Sequence, residues 1–269
     1  MIEIILGESF DAYKTSGHHG SSALFDFGTM SRGDWHQAHV VAAYGSDVSK
    51  SRPITSGSAL DTFVTDPAHF EEKWAKKPPA FSADAWAEEL ANIKAAGPIA
   101  LEAIKILAGE SKPLYQVTLR GEVEGVKVQD RPDIWIDTFA SDDVGAPDIV
   151  DLKYTSKIEA EDDGVTAWER GFIGSREWFQ TGLRFHLAKE VTGQIPTIRN
   201  LLVEHGTANP RCLMVEIPLL ILEAAERDTL ARIREIKAAT DDPIGFKDPV
   251  RFREMRLPAW AMAKIGLPY

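Results

Sequence analysis

The chain has 269 residues, 44% of them hydrophobic, and its 41 acidic and 30 basic side chains give a net charge of −11. This composition suffices for a single domain over residues 1–269, and the acidic balance argues against tight nucleic-acid binding over the whole surface. The single cysteine, Cys212, excludes an internal disulfide, and no signal sequence or apolar run of roughly 18 residues is present. We therefore expect a cytoplasmic protein with no membrane partner.

The first predicted elements are helices. Ser82 can cap a helix that runs to about residue 96, and Pro98 can open a second helix that ends before Gly109. The chain up to about residue 110 is therefore predicted to be mainly helical.

The central block is predicted to form strands. β-Branched residues alternate or cluster in three segments, at residues 117–122, 126–137 and 149–154. Gly125 separates the first two segments, and a polar loop at residues 141–147 separates the last two. This block predicts the middle of a sheet.

Helices and strands continue in the last third. A helix at residues 175–191 ends before Gly193 and is followed by strands at 197–204 and 212–218. An amphipathic helix is predicted at residues 222–239. Together the elements predict an α/β fold with a central β-sheet flanked by helices, and Cys212 is expected to be a buried strand residue.

The third predicted strand carries charged residues in an apolar run. Residues i and i+2 of a strand point to the same face about 7 Å apart, so Asp151 and Lys153 project together while Val150 and Leu152 face the opposite layer. If the second strand is its neighbour, Asp133 approaches Asp151 from the side. Two carboxylates would then offer the oxygen ligands that Mg²⁺ or Mn²⁺ prefers, beside an ammonium. This arrangement is typical of a metal-dependent phosphodiesterase.

A triplet of this kind can also be a solvated ion pair at the end of a strand. Here the acid and the lysine stand among Ile, Val and Leu, where charge is costly unless it is paired or metal-bound. This context favours the functional interpretation of Asp151 and Lys153.

Five motifs follow one another along the chain. They are the segment 57–70 with Gly57, Asp61, Pro67 and Phe70, then Arg131-Pro132-Asp133, Asp151-Leu152-Lys153, Trp178-Phe179-Gln180 and Leu257-Pro258-Ala259-Trp260. In order and spacing they resemble the RecE-like exonucleases of phage and prophage recombination systems, within the PD-(D/E)XK nuclease superfamily that also holds lambda exonuclease. The resemblance runs nearly end to end and implies a restriction-endonuclease-like core with a mixed sheet.

The resemblance also implies a site. Asp133 and Asp151 would hold Mg²⁺, with Mn²⁺ as a substitute, and Asp61 and the backbone carbonyl of Leu152 would complete the metal ligands. Lys153 would position the attacking water or stabilise the developing charge. Gln180 would orient the water or a ligand, and Arg176 and Arg184 of the same helix are candidate phosphate contacts.

The sequence departs from the family pattern at two positions. Asp61 stands where the family has a metal-binding histidine, and Gln116 stands where it has an acid on the strand before Arg131-Pro132-Asp133. A carboxylate at position 61 keeps Mg²⁺ or Mn²⁺ plausible, whereas Gln116 offers only a neutral carbonyl or an amide donor.

The activity implied by the resemblance is exonucleolytic degradation of linear double-stranded DNA from the 5′ end. The 3′ single-stranded tail would serve a single-strand annealing protein. A toroidal homo-oligomer, a trimer or tetramer, would gather Lys157, Arg170 and Arg176 around a DNA channel. Two alternatives stay open: a nuclease of the same superfamily with single-strand or flap specificity, and a catalytically weakened nucleic-acid-binding relative.

Overall fold

The structure is a computed structural model that describes residues 1–41, 52–137, 146–156, 158–159 and 164–242. Two β-sheets and nine α-helices make up this part of the chain. The predicted α/β class with a central mixed sheet flanked by helices is confirmed. The motif at residues 257–260, Lys157 and most of the polar loop at 141–147 lie outside the described residues.

Short helices dominate the first part of the chain. Strand β1 is followed by six helices and one π-helical turn: β1 Ile2–Ile5, α1 Phe10–Thr15, α2 Ser21–Thr29, α3 Arg32–His36, the π-helical turn Gln37–Val41, α4 Arg52–Thr65, α5 Pro67–Trp74 and α6 Ala83–Ala108. Ser9, Ser31 and Ser82 each begin a helix by accepting a hydrogen bond from a backbone N–H in its first turn. None of the described helices is long and apolar enough to cross a membrane.

Helix α6 is continuous, so the prediction of two helices separated at Pro98 is wrong. Proline removes one backbone hydrogen bond and costs about 3 kcal/mol inside a helix. Burial outweighs this cost, because Ile93 and Ile104 lie fully inside the core on either side of the proline. Gly97 adds a close contact, since a Cβ atom there would lie 2.1 Å from the ring of Phe63.

Seven strands follow α6: β2 Leu114–Tyr115, β3 Thr118–Val123, β4 Val126–Asp130, β5 Ile134–Ile136, β6 Asp148–Thr155, β7 Thr197–Glu204 and β8 Cys212–Glu216. The central sheet has the order β2-β5-β6-β7-β8, in which only β6 and β7 are parallel. A second, antiparallel sheet has the order β1-β3-β4. Cys212 lies on a strand as predicted, although it is half-buried rather than buried.

The prediction of a single strand at residues 126–137 is wrong. The segment divides into β4 and β5, which belong to different sheets. The interruption falls at Arg131-Pro132-Asp133, where Pro132 has no N–H to donate to a ladder. This interruption places Asp133 directly before β5.

Three helices complete the described part: α7 Ala167–Arg170, α8 Arg176–Thr192 and α9 Leu219–Asp241. Helix α8 lies within one residue of its prediction at each end. Local residues determine where α8 begins and ends. The Ser175 side chain accepts a hydrogen bond from the Trp178 N–H at the first turn, and Gly193 ends the helix with a left-handed φ of 69°.

The core has one cluster on each face of the central sheet. Ile149 packs with α2, α8 and α9, whereas Val150 packs with α4, α5 and α6. Leu152 and Tyr154 pack against the second cluster. Alternation along β6 therefore gives Asp151 and Lys153 the face that carries Ile149 and α8.

Candidate active site

Asp133 lies beside β6 at the start of β5. Antiparallel pairing sets Ile134 opposite Val150, and Oδ2 of Asp133 accepts a hydrogen bond from the Leu152 N–H at 2.8 Å. The structure therefore brings Asp133 next to the Asp151-Leu152-Lys153 motif. The contact at Leu152 is made by its N–H, and a ligand role for its carbonyl stays a prediction.

Asp151, Lys153 and Gln180 contact one another. Nζ of Lys153 lies 2.5 Å from Oδ2 of Asp151 and donates to Oε1 of Gln180 at 3.1 Å. Nε2 of Gln180 donates to Oδ1 of Asp151 at 3.4 Å, which closes the triangle. Two residues of strand β6 and one of helix α8 thus form one polar group between the sheet and the helix.

Arg184 lies one turn beyond Gln180 and is 1% exposed. Its Nε donates to Oδ2 of Asp130 and its Nη1 donates to Oδ1 of Asp151, both at 2.7 Å. The expectation that Arg184 faces phosphate is therefore wrong, because both bonds hold it inside the protein. It acts on the site through Asp151 instead.

Neighbouring charged side chains determine the ionisation states of Asp151 and Lys153. Burial would raise the pKa of Asp151, but Arg184 and Lys153 outweigh it and hold that pKa well below the usual range. Burial would lower the pKa of Lys153, but Asp151 outweighs it and raises that pKa. A carboxylate and an ammonium are therefore both charged in the folded protein.

The other two acids have the opposite shift. Burial, and then the charges of Asp151 and Asp61, raise the pKa of Asp133 well above its usual value. Burial, together with the charge of Asp151, raises the pKa of Asp61 to about 6 against the lowering effects of Lys73 and Arg131. Three carboxyl groups that influence one another in this way are crowded together, which favours protonation or a bound cation.

Gln116 connects Asp61 to Asp133. Its Nε2 donates to Oδ1 of Asp61 at 2.8 Å, and its backbone N–H donates to the Asp133 carbonyl at 2.9 Å. Its φ of 53° lies in the left-handed region, which a residue other than glycine adopts at some cost in energy. Positions 61 and 116, where the sequence resemblance implies a histidine and an acid, are therefore in direct contact.

The donor atoms fit a hard divalent cation, because all of them are oxygen. They do not form a ready cage: nowhere in the described ranges do three His, Cys, Asp or Glu side chains stand in an arrangement that could hold a metal. Lys153 and Arg184 already contact the two oxygens of Asp151. Metal binding at Asp151 would require the Lys153 ammonium to withdraw.

Asp130 has no role predicted from the sequence, although it stands in the same predicted strand segment, 126–137, as Asp133. Asp130 is 3% exposed and pairs with Arg184. The available signal was the spacing of four residues between Gln180 and Arg184, which places both on one face of a helix.

No family model and no curated protein matches the sequence. Among solved structures, the chain is similar to a candidate exonuclease from Eubacterium rectale, with a TM-score of 0.61 and 16% identity over 97% of this chain and 98% of that one. A second structure, of SSO0001, matches with a TM-score of 0.25 and 16% identity over 78% of this chain and 85% of that one. The first similarity shows a shared fold.

Proposed function

We propose that the chain is a metal-dependent deoxyribonuclease. The observation that carries this proposal is the contact of Asp133, Asp151, Lys153 and Gln180 around strand β6, with Asp61 close enough to influence them. The name of the Eubacterium rectale protein that shares the fold supports the same class of activity.

In this proposal Asp133, Asp151 and Asp61 would hold the metal, with the Leu152 carbonyl as a further ligand, once the Lys153 ammonium withdraws from Asp151. The chemistry that Mg²⁺ or Mn²⁺ would supply there is Lewis-acid polarisation of phosphate and water. The elevated pKa values of Asp133 and Asp61 match this role, because a divalent cation relieves the repulsion between crowded carboxylates.

Lys153 and Gln180 serve the chemical step. Asp151 keeps Lys153 protonated, so its ammonium can stabilise negative charge that builds on the phosphate during attack. Gln180 fixes the ammonium by accepting its hydrogen bond and can orient the attacking water. No covalent intermediate is required.

More specifically, we propose an exonuclease that acts on the ends of linear double-stranded DNA. It degrades the strand with the free 5′ end and leaves a 3′ tail for a single-strand annealing protein. The sequence resemblance to RecE-like exonucleases supports this direction and partner.

We further propose a toroidal trimer or tetramer around the DNA. Arg170 and Arg176 are exposed on neighbouring helices, and Arg176 lies 3.5 Å from Asp26, a distance typical of a loose surface pair. Closed symmetry could gather such bases around one passage. Light scattering should give a trimer or tetramer, and covalently closed circles should resist cutting; an active monomer that cuts circles rapidly would contradict the ring.

The test of the nuclease proposal is a time course on linear duplex labelled at the 5′ or the 3′ end, with Mg²⁺ or with EDTA. Mg²⁺-dependent early release of the 5′ label, with the complementary strand left intact, is the expected result. Preference for a flap or a single strand in a matched substrate panel would favour the other nuclease class. Equal release in EDTA would contradict metal dependence.

One observation favours a second candidate, a nucleic-acid-binding relative without cleavage. Both oxygens of Asp151 are engaged by basic side chains, and Gln116 is neutral where the family has an acid. DNA binding that is insensitive to Mg²⁺, without strand loss in the same time course, would select this candidate.

A further inference from the structure

A cavity of about 720 Å³ is lined by other residues of the helix and the strand that carry Asp61 and Asp151. It is formed where α4 and α6 meet the carboxyl ends of β6 and β7, and its lining includes Arg52, Ser56, Phe81, Glu89, Tyr154 and His205. A cavity of this size can enclose a small planar ligand.

The cavity and the proposed active site share two elements. Helix α4 carries Asp61 in the site and Arg52 in the cavity wall, nine residues apart, which is about 14 Å along a helix. Strand β6 carries Asp151 in the site and Thr155 in the wall, four residues apart, or about 13 Å along a strand. A ligand extended along α4 and β6 could occupy both places.

Glu89 is the most informative residue of the lining. It is 7% exposed, and its Oε2 lies 3.3 Å from Nε2 of His205. Its Oε1 is buried and has no hydrogen-bond partner among the residues that the structure describes. A buried carboxylate oxygen without a donor is costly, so this wall of the cavity is suited to a ligand that brings an N–H group.

Aromatic rings provide the apolar surfaces of the cavity. The Tyr154 ring meets the His205 ring edge to face at 4.8 Å, and Arg52 lies 5.2 Å from the ring of Phe81. The Tyr154 hydroxyl is buried, and the Gly206 N–H lies close to it. The lining therefore combines flat apolar surfaces with the unpaired Oε1 of Glu89, a combination that suits a heteroaromatic ring.

The acidic side chains of the cavity lining favour a nucleobase over a phosphate group as the ligand. Glu88, Glu89 and Arg52 all line the cavity, and a phosphate beside the unpaired carboxylate oxygen of Glu89 would be repelled. An exocyclic amine of a nucleobase offers the donor that Glu89 lacks, as when an acidic side chain accepts from cytosine. Uracil presents carbonyl oxygens on either side of its N–H, which repel a carboxylate.

We propose that this cavity binds an amine-bearing nucleobase of the DNA strand that extends from the active site, with Glu89 as the acceptor of its amine. This inference rests on the proposed nuclease function, since it takes the ligand to be part of the DNA substrate. Base binding in the cavity would add a base preference to a nuclease that otherwise recognises only the sugar-phosphate backbone of the DNA.

The test is binding of fluorescein-labelled 12-residue oligodeoxycytidine and oligodeoxyuridine to the full chain in EDTA, followed by anisotropy. The wild-type protein should bind the cytidine strand about tenfold more tightly. Glu89→Gln should bring the two affinities together, because an amide can face either edge. Glu102→Gln, an exposed residue farther along the same helix, is the matched control and should keep the preference.

A second variant covers the case in which Glu89→Gln does not fold. Ala85→Phe would fill the cavity from its α6 wall and leave Glu89 in place, and it should reduce the preference to the same extent. Equal affinities in the wild-type protein, or a preference that Glu89→Gln and Ala85→Phe both leave unchanged, would overturn the inference.

The two proposals can fail separately. Asp151→Asn should keep the cytidine preference in EDTA, because Asp151 does not line the cavity. Mg²⁺-dependent cleavage without any base preference would remove this inference and leave the nuclease proposal. A base preference that depends on Glu89, in a protein that never cleaves DNA, would remove the nuclease proposal and leave the cavity as a base-binding site.

Discussion

Gln116 donates a hydrogen bond to Asp61 across 55 positions of sequence, at 2.8 Å. The sequence resemblance to RecE-like exonucleases implies an acid at position 116 and a histidine at position 61 instead. The Gln116 side-chain amide and the Asp61 carboxylate are hydrogen-bonded, and the Gln116 backbone N–H also donates to the Asp133 carbonyl. Gln116 therefore joins Asp61 to Asp133 by two hydrogen bonds within the proposed metal site.

We expect Asp61→Ala to raise the Mg²⁺ concentration needed for half-maximal cleavage, because it removes one oxygen donor. Gln116→Leu should raise it by about tenfold, since Asp61 stays but loses its positioning bond. Asp61→His should keep part of the activity. Mg²⁺ titrations of the purified variants measure these shifts, and an unchanged titration for Asp61→Ala would exclude it as a ligand.

Arg184→Met should destabilise the protein by about 3–5 kcal/mol, because it leaves Asp130 and Asp151 buried without their shared counter-charge. Arg184→Lys should recover part of the loss. Urea denaturation measures the free energy of unfolding, and Lys94→Met at the exposed pair with Glu71 is the control that should change little. Equal stability of Arg184→Met and the wild-type protein would contradict this account of the network.

Gly182→Ala should destabilise the contact between α8 and α9 by about 1–3 kcal/mol. A Cβ atom at Gly182 would lie 2.3 Å from the Ala225 carbonyl oxygen and from Oγ1 of Thr229. Gly57→Ala is the matched control within a helix, where a Cβ atom meets nothing within 4 Å, and it should stabilise by about 0.5–1 kcal/mol. Thermal melts of both variants test the difference in sign.

His19 should make the protein less stable in acid. Burial lowers the pKa of His19 to about 4, and its ring packs 5.3 Å from the Trp35 ring. The unfolded chain binds a proton near pH 6.5 and the folded chain only near pH 4, so this contribution to stability is full above 6.5 and is lost as pH falls towards 4. His19→Gln should flatten the unfolding free energy in that window; an identical slope in both proteins would refute this assignment.

Elements with clear end signals were predicted closely from the sequence. Helix α8 has Ser175 at one end and Gly193 at the other, and β6 and β7 are apolar runs bounded by polar residues. The error at Pro98 arose because local propensity favours a stop, whereas packing across α6 makes the helix continuous. The short helices before residue 75 carry too little periodicity to be recognised.

The sequence predicts those site residues whose positions follow from the two-residue periodicity of a strand. Asp151 and Lys153 share a face because of their spacing, and Asp133 is brought beside them by pairing of β5 with β6. The role of Arg184 was not predictable, since arginine is rarely fully buried and only the fold supplies Asp130 as its second partner. The contact of Gln116 with Asp61 joins distant segments and has no local signal.

The most direct test of the central claim, that these residues form one hydrolytic site, is the Mg²⁺-dependent cleavage rate of Asp151→Asn and Lys153→Ala on linear duplex DNA. Each variant should lose about 10²–10³-fold, the first through metal binding and the second through the chemical step. Asp148→Asn, on the same strand in a half-buried pair with Arg199, should keep the wild-type rate. Wild-type rates in folded Asp151→Asn and Lys153→Ala proteins would contradict the account.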